Sequence, residues 1–191
     1  MPTSPICDLL NLIEMLRDPQ MNRDAVKKLH GRNAFTDGSL RGKDLSRVNL
    51  SGEALTYADF ERTNLSYAGL STIMMAANLQ NVNLTEAYLV DSDLGKSNFN
   101  GAILVGANLS RAVLGRVSFE GTDMRRCVLR DVRYLSDERL AKAYTLRHAI
   151  MKDGSLYDGR FRLKGDIEAA KQLGIDVDDD LAMAEFYRLD T

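Results

Sequence analysis

Residues 58–70 read ADFERTNLSYAGL, and their large apolar residues Phe60, Leu65 and Leu70 lie five positions apart. The same spacing continues through most of residues 35–134, with one interruption between Leu70 and Leu79. A period of five fits neither an α-helix, which repeats about every 3.6 residues, nor a regular strand, which repeats every two. A fixed short repeat predicts a solenoid, in which each coil buries its apolar residues against the next.

The residue two positions before each apolar centre is usually small, and the residue directly before it is often Asp or Asn. The resulting unit, A-(D/N)-L-x-x, is complete at residues 58–60, 77–79 and 107–109. It resembles the repeat of the pentapeptide-repeat family, over about 100 residues and roughly 20 consecutive units. The resemblance implies an all-β solenoid. Its form would be a right-handed quadrilateral parallel β-helix of about five coils, with four units per coil.

Four units per coil would stack residues that are 20 positions apart. Phe99 and Phe119 meet this expectation, and Phe60 aligns with them through Leu79 if the interruption shortens one coil to 19 residues. The same alignment predicts a polar column of Asp59, Asn78, Asn98 and Ser118. It also predicts a ladder of alternating charge formed by Asp91, Arg111 and Asp131.

The repeat divides the chain into three predicted parts: an N-terminal helical cap (1–34), the β-helix (35–134) and a helical C-terminal tail (135–191). An open solenoid exposes unpaired backbone and apolar cross-sections at both ends, so both flanks are expected to cover them. Helices are predicted over 5–17, 23–29, 136–144, 166–173 and 180–189. The apolar residues of the first helix are Ile6, Leu9, Leu10, Ile13 and Leu16. The C-terminal helices are candidates for forming a homodimer.

Composition points to a soluble globular protein, with 45% hydrophobic and 27% charged residues. The net charge of −2 argues against a general nucleic-acid binder, so we expect no direct nucleic-acid binding. No apolar stretch approaches the roughly 18 residues of a membrane span, so we expect no membrane insertion. The two cysteines have no metal-ligand spacing and are interpreted as reduced thiols of a cytoplasmic protein. The family resemblance implies a bacterial protein. Cys127 occupies one of the small inward positions.

The sequence offers little for catalysis. Asp176, Asp178 and Asp180 match the first calcium ligands of an EF-hand loop, but Leu181 and Tyr187 replace its glycine and its final glutamate. These carboxylates are better explained as an acidic start to the last helix. The two histidines are isolated, and no nucleophile or phosphate-loop motif appears. We therefore expect neither an enzyme nor a cofactor.

The expected function is a non-catalytic protein–protein interaction scaffold with an unidentified protein partner. Some pentapeptide-repeat proteins imitate duplex DNA, so the resemblance also implies an alternative: an inhibitor or protector of type II topoisomerase (gyrase). Such mimicry needs dense negative charge, whereas residues 35–134 carry 11 basic and 11 acidic side chains. The later coils are rich in arginine and are candidates for binding an acidic partner. The candidate residues are Arg111, Arg116, Arg125, Arg126 and Arg130.

Overall fold

A computed structural model describes residues 5–189, with side chains described from Asp8 onward. Residues 40–134 form a square tube, and the pairing between coils consists of single-residue parallel bridges instead of long strands. Four columns of bridges define four faces of the tube. Each face is named after one residue that lies on it, which need not be a bridge residue. In chain order they are the Phe99 face (Asp59, Asn78, Asn98, Ser118), the Asn64 face (Asp44, Asn64, Asn83, Ile103, Asp123), the Tyr88 face (Asn49, Gly69, Tyr88, Asn108, Val128) and the Ile73 face (Ala54, Ile73, Asp93, Val113, Arg133). The predicted right-handed quadrilateral β-helix is confirmed.

The corners explain the five-residue period. At a typical corner the amide of Ala58 donates to the carbonyl of Leu55 at 3.0 Å, and Tyr57 between them has φ 62°. Such a turn needs a left-handed residue at its third position, which glycine adopts readily and other residues adopt at a cost. Here the position is mostly filled by non-glycine residues, so backbone pairing on both sides holds these corners in place.

Alternate side chains on each face point into the tube, where their apolar surface is almost completely buried. The leucine and phenylalanine centres are fully buried, and the small positions between them are buried as well. Phe99 stacks on Phe119 with ring centroids 5.6 Å apart, and Phe35 contacts Phe60 edge-on at 6.2 Å. The predicted phenylalanine column is therefore present. Cys127 is completely buried in a small position, as its placement in the repeat predicts.

The interruption of the repeat is a missing residue at one corner. Asn49 pairs with Gly69, but Ala54 pairs with Ile73, so the offset between coils falls from 20 to 19 residues. Met74 becomes the buried centre four residues after Leu70. Because the following coils resume a 20-residue offset, the shortening leaves later columns in register.

Helices α1 (Pro5–Arg17) and α2 (Asn22–Gly31) cover the first coil. The Arg17 guanidinium donates to the carbonyls of Ser46 and Asp44, at 3.0 and 2.9 Å, which satisfies backbone at the tube's open edge. The burial of α1 differs from the sequence prediction at one position. Leu10 is half exposed, and Leu12 is buried in its place beside Ile13 and Leu16. Ile6 lies outside the described side chains.

The C-terminal region contains α3 (Asp137–Leu140), α4 (Lys164–Gln172) and α5 (Asp180–Arg188). The predicted helix over 136–144 was too long. After Leu140 the chain returns to the tube, where Met124 donates to Thr145 at 3.0 Å and Leu129 donates to Ile150 at 2.8 Å. Pairing with the last coil takes the backbone groups that a longer helix would have used, so the ladder continues beyond Tyr134 on two faces.

Candidate functional site

The five candidate arginines do not form one patch. Arg111 and Arg116 occupy the two corners that border the Ile73 face, each with φ 60°. Arg125 and Arg126 lie on the Asn64 face and at its following corner, and Arg130 lies on the Tyr88 face. The dispersion follows from the repeat, because each step of five residues moves the chain to the next face of the square.

The Ile73 face is the most apolar outer surface of the tube. Ile73 is 52% exposed, and Met75 and Val113 are partly exposed beside it. Asp93 is the one charged residue between Ala54 and Gly115 on this face. The other faces carry mostly polar or charged residues at the corresponding positions, with Tyr88 and Ile103 as exposed exceptions. A contiguous exposed apolar strip is the kind of surface that marks an interaction site.

Two glycines, Gly95 and Gly115, make the Ile73 face flat. A Cβ atom added at Gly115 would lie 3.6 Å from the Cβ of Tyr134, an ordinary contact, and one added at Gly95 would lie 3.3 Å from an Asp93 carboxylate oxygen. Neither glycine has a positive φ. The backbone conformation therefore does not require glycine at these two positions. Their lack of a side chain leaves this part of the outer surface flat.

Aromatic and charged residues frame this face. Tyr57 and Tyr134, 70% and 71% exposed, stand near its two ends. Lys96 and Arg116 share one bordering corner column, and the Asp91–Arg111 ion pair lies on the other. One edge of the Ile73 face therefore carries positive charge, and the other edge carries charges of both signs.

A second surface feature lies where the chain returns to the tube. Arg126 donates its amide to the carbonyl of Arg147 at 3.0 Å, which stacks Arg147 beside Arg125 and His148 beside Arg126. These four side chains and Val105 line a cleft of about 320 Å³. Sequence reasoning missed Arg147 and His148, because Asp123 pairs with Thr145, two residues beyond the regular offset of 20. We call this site the basic cleft.

Neighbouring groups fix two of the side chains of the basic cleft, those of Arg125 and Arg147. The Arg125 guanidinium binds the Asp123 carboxylate at 2.7 Å, and the Arg147 guanidinium lies 4.3 Å above the ring centroid of Phe186. Beside them, burial raises the pKa of Asp166, although hydrogen bonds from the Thr145 and Tyr187 hydroxyls oppose the rise. α5 and the last coil thus hold this region together.

The remaining candidates have structural roles. The Asp179 side chain caps α5 by accepting from the amides of Leu181 and Ala182, and Asp180 lies in the first turn of that helix. Burial raises the pKa of the Cys127 thiol. Within residues 5–189, no three His, Cys, Asp or Glu side chains are grouped so that they could hold a metal ion. None of the helices in that range has the length and apolar character needed to cross a bilayer.

Comparison with known proteins supports the family suggested by the repeat. The profile described as Pentapeptide repeats matches residues 44–71, 77–116 and 92–131, with eight copies. No curated protein sequence gives a significant match.

Solved structures include proteins that are similar to this chain, and the one with a TM-score of 0.50 has the same fold. A pentapeptide-repeat protein from the Arabidopsis thaliana thylakoid lumen is 24% identical, with a TM-score of 0.50 over 65% of this chain and 91% of its own. Rfr23 from the cyanobacterium Cyanothece 51142 is 22% identical, covering 49% and 78% with a TM-score of 0.48. QnrB1, a plasmid-mediated fluoroquinolone resistance protein, is 17% identical, covering 71% and 68% with a TM-score of 0.36. The repeat, the square tube and the profile match together identify this chain as a member of the pentapeptide-repeat family.

Proposed function

We propose that the protein is a non-catalytic interaction scaffold and that a protein partner docks on the Ile73 face. The observation that carries this proposal is the exposed apolar strip of Ile73, Met75 and Val113, which all lie on one face of the tube. A rod of paired coils is rigid, so its partner meets a preformed surface and little ordering entropy opposes binding.

The frame of the Ile73 face favours a particular kind of partner. Exposed tyrosines such as Tyr57 and Tyr134 are enriched at interaction hot spots, because they provide a large contact area at low conformational cost. Lys96 and Arg116 border the strip and would attract acidic groups on the partner. The expected partner therefore presents a flat apolar patch with carboxylates along one edge.

A substitution at Gly115 tests this proposal without disturbing the tube. Gly115→Glu places a long charged side chain on the strip at a position where a Cβ atom makes an ordinary contact. Thr85→Glu is the matched control, since Thr85 holds the equivalent outward position on the opposite Asn64 face. Immobilised wild-type and variant proteins are incubated with extract of the native cells, and the captured proteins are identified.

The proposal expects a protein that wild type and Thr85→Glu both capture and that Gly115→Glu loses. Equal capture by all three proteins would place the contact elsewhere, and the proposal would be abandoned.

The alternative from the resemblance, DNA mimicry toward gyrase, finds less support in the charges. One corner column runs Asp91, Arg111, Asp131, so it alternates in sign where a mimic of the DNA backbone would be uniformly negative. A supercoiling assay with purified gyrase separates the two functions. Inhibition or protection by the purified protein would favour the mimic over the scaffold.

A further inference from the structure

One corner at the C-terminal end of the tube borders a cavity with apolar walls. On the Tyr88 face the bridges continue from Val128 to Ile150, whereas on the Ile73 face the described bridges end at Arg133. Core residues beside this uneven edge line a cavity of about 340 Å³, which we call the terminal cavity. Its apolar walls are Leu129, Leu135, Leu140 and Met151.

Charged groups of both signs stand at the exposed rim of the terminal cavity. The amide of Asp131 donates to the carbonyl of Lys152 at 3.0 Å, which stacks Asp153 beside Asp131. Neighbouring rungs of a parallel ladder lie about 4.8 Å apart, so these two carboxylates can share one cation. Asp137 adds a third carboxylate, and Lys152 and Arg160 are the basic groups of the rim.

Two of the rim groups are held in place by their neighbours. The Asp153 carboxylate accepts from the amide and the hydroxyl of Ser155, at 3.0 and 2.6 Å, and these hydrogen bonds lower its pKa. The Arg160 guanidinium donates its Nε to Asp158 at 2.8 Å. Because this bond uses Nε, the Nη groups of Arg160 can donate to a ligand. A preorganised rim loses less side-chain entropy when a ligand binds.

We propose that the terminal cavity binds a free α-amino acid with an aliphatic side chain, such as leucine. The aliphatic side chain packs on the apolar walls, the ammonium group lies at Asp131 and Asp153, and the carboxylate accepts from Lys152 and Arg160. Small-molecule sites are mostly apolar, with a few polar groups that fix the orientation of the ligand. The terminal cavity is near the lower end of their range of about 300–1,000 Å³, which favours a ligand of this size.

The rim favours a zwitterion over an ion of one sign. A simple cation would also meet Lys152 and Arg160, and a simple anion would meet three carboxylates. A zwitterion can place each of its charges beside a group of opposite charge. None of Ile73, Met75 and Val113 lines the terminal cavity, so its test does not depend on the proposed scaffold function.

The test is an NMR titration of the full chain with L-leucine at constant pH and ionic strength. We expect saturable amide shifts within residues 129–140 and 151–153, with a Kd of about 1 mM or tighter. Three analogues each lack one part of leucine: 3-methylbutylamine lacks the carboxylate, 4-methylpentanoate lacks the ammonium group, and glycine lacks the side chain. Each should bind about tenfold more weakly than leucine, or worse.

Substitutions at the rim test the assigned contacts. Asp131→Asn should weaken leucine binding by about tenfold, because it removes one charge from the ammonium site. Asp178→Asn is the matched control, since that carboxyl is 93% exposed and lies outside the cavity. Circular dichroism checks that each variant is folded. If Asp131→Asn does not fold, Lys152→Gln provides the second readout and should also weaken binding.

The proposal would be overturned by leucine shifts that do not saturate, or by any of the three analogues binding as tightly as leucine. An equal loss in Asp178→Asn would also overturn it, because it would indicate a general charge effect. Unchanged leucine affinity in a folded Asp131→Asn or Lys152→Gln variant would count against the site.

Discussion

The Arg111 guanidinium binds the Asp91 carboxylate of the preceding coil through two hydrogen bonds, Nε to Oδ1 at 2.8 Å and Nη2 to Oδ2 at 2.6 Å. The sequence predicts a ladder in which Asp131 would be the next rung. Among the described ion pairs Arg111 contacts Asp91 alone, and Asp131 acts on it only through its charge. The three residues form the predicted column, but the ion pair within it joins only Asp91 and Arg111.

This ion pair predicts a titration shift. The hydrogen bond from Arg111 lowers the pKa of Asp91 below its usual value. Because the folded pKa is the lower one, the pair contributes to stability above the unfolded pKa, and the contribution is lost as pH falls through the folded value. NMR titration of the Asp91 carboxyl should show the lowered pKa, and Arg111→Gln should return it toward the usual value. An unchanged pKa in Arg111→Gln would show that the pair does not persist in solution.

The phenylalanine column predicts which core substitutions the tube tolerates. Phe99→Ala removes a fully buried ring stacked on Phe119, so we expect a loss of about 3–5 kcal/mol in the free energy of unfolding. Phe99→Leu should cost only about 1 kcal/mol, because Leu79 already fills the same column one coil earlier. Urea unfolding followed by circular dichroism measures both. Similar losses for the two variants would contradict the stacked column.

Asp166 predicts a pH dependence of the opposite sign to that of Asp91. Burial raises its pKa above the usual 3.8, so its ionisation lowers the stability of the folded chain as pH rises through the raised value. Asp166→Asn keeps an acceptor for the Tyr187 hydroxyl and removes the charge. The melting temperature of wild type should therefore fall relative to Asp166→Asn as pH increases. Asp178→Asn, at a carboxyl that is 93% exposed, is the control and should track wild type.

Self-association through the C-terminal helices remains a prediction, and its test has to use the whole chain. Removing residues after Tyr134 would also remove the segment that pairs with Met124 and Leu129, and this would open the tube. Leu181 of α5 is 80% exposed, whereas Met183, Phe186 and Tyr187 face the core. If α5 forms a dimer interface, Leu181→Asp should convert the protein to a monomer. Light scattering would show this as a lower mass. An unchanged mass would exclude Leu181 from any such interface.

The tube was predictable because its core imposes a strict period on the sequence. The buried centres, the shortened coil and the phenylalanine column all follow from counting residues, and Cys127 follows from its small position. α1, α4 and α5 were predicted from helical spacing and turn signals. The predicted 136–144 helix was too long, because competition from the last coil for backbone pairing leaves no trace in the local sequence.

The surfaces were less predictable, since outward positions carry no repeat. The arginine-rich segment looks like one cluster when the sequence is read along the chain, yet it winds around the rod. The Ile73 face draws single residues from separate coils, so its apolar character appears only after the coils are stacked. Arg147 and His148 join the basic cleft through a longer return loop, which a count of 20 residues misses.

Site-specific photocrosslinking tests the scaffold proposal most directly. A photoreactive benzoylphenylalanine is placed at position 73 on the apolar strip or, as control, at position 83 on the opposite face. Each protein is irradiated in extract of the native cells. The scaffold proposal predicts one crosslinked partner at position 73, identical to the protein that Gly115→Glu fails to capture, and no such adduct at position 83. Equal crosslinking from both positions, or none from position 73, would contradict docking on the Ile73 face.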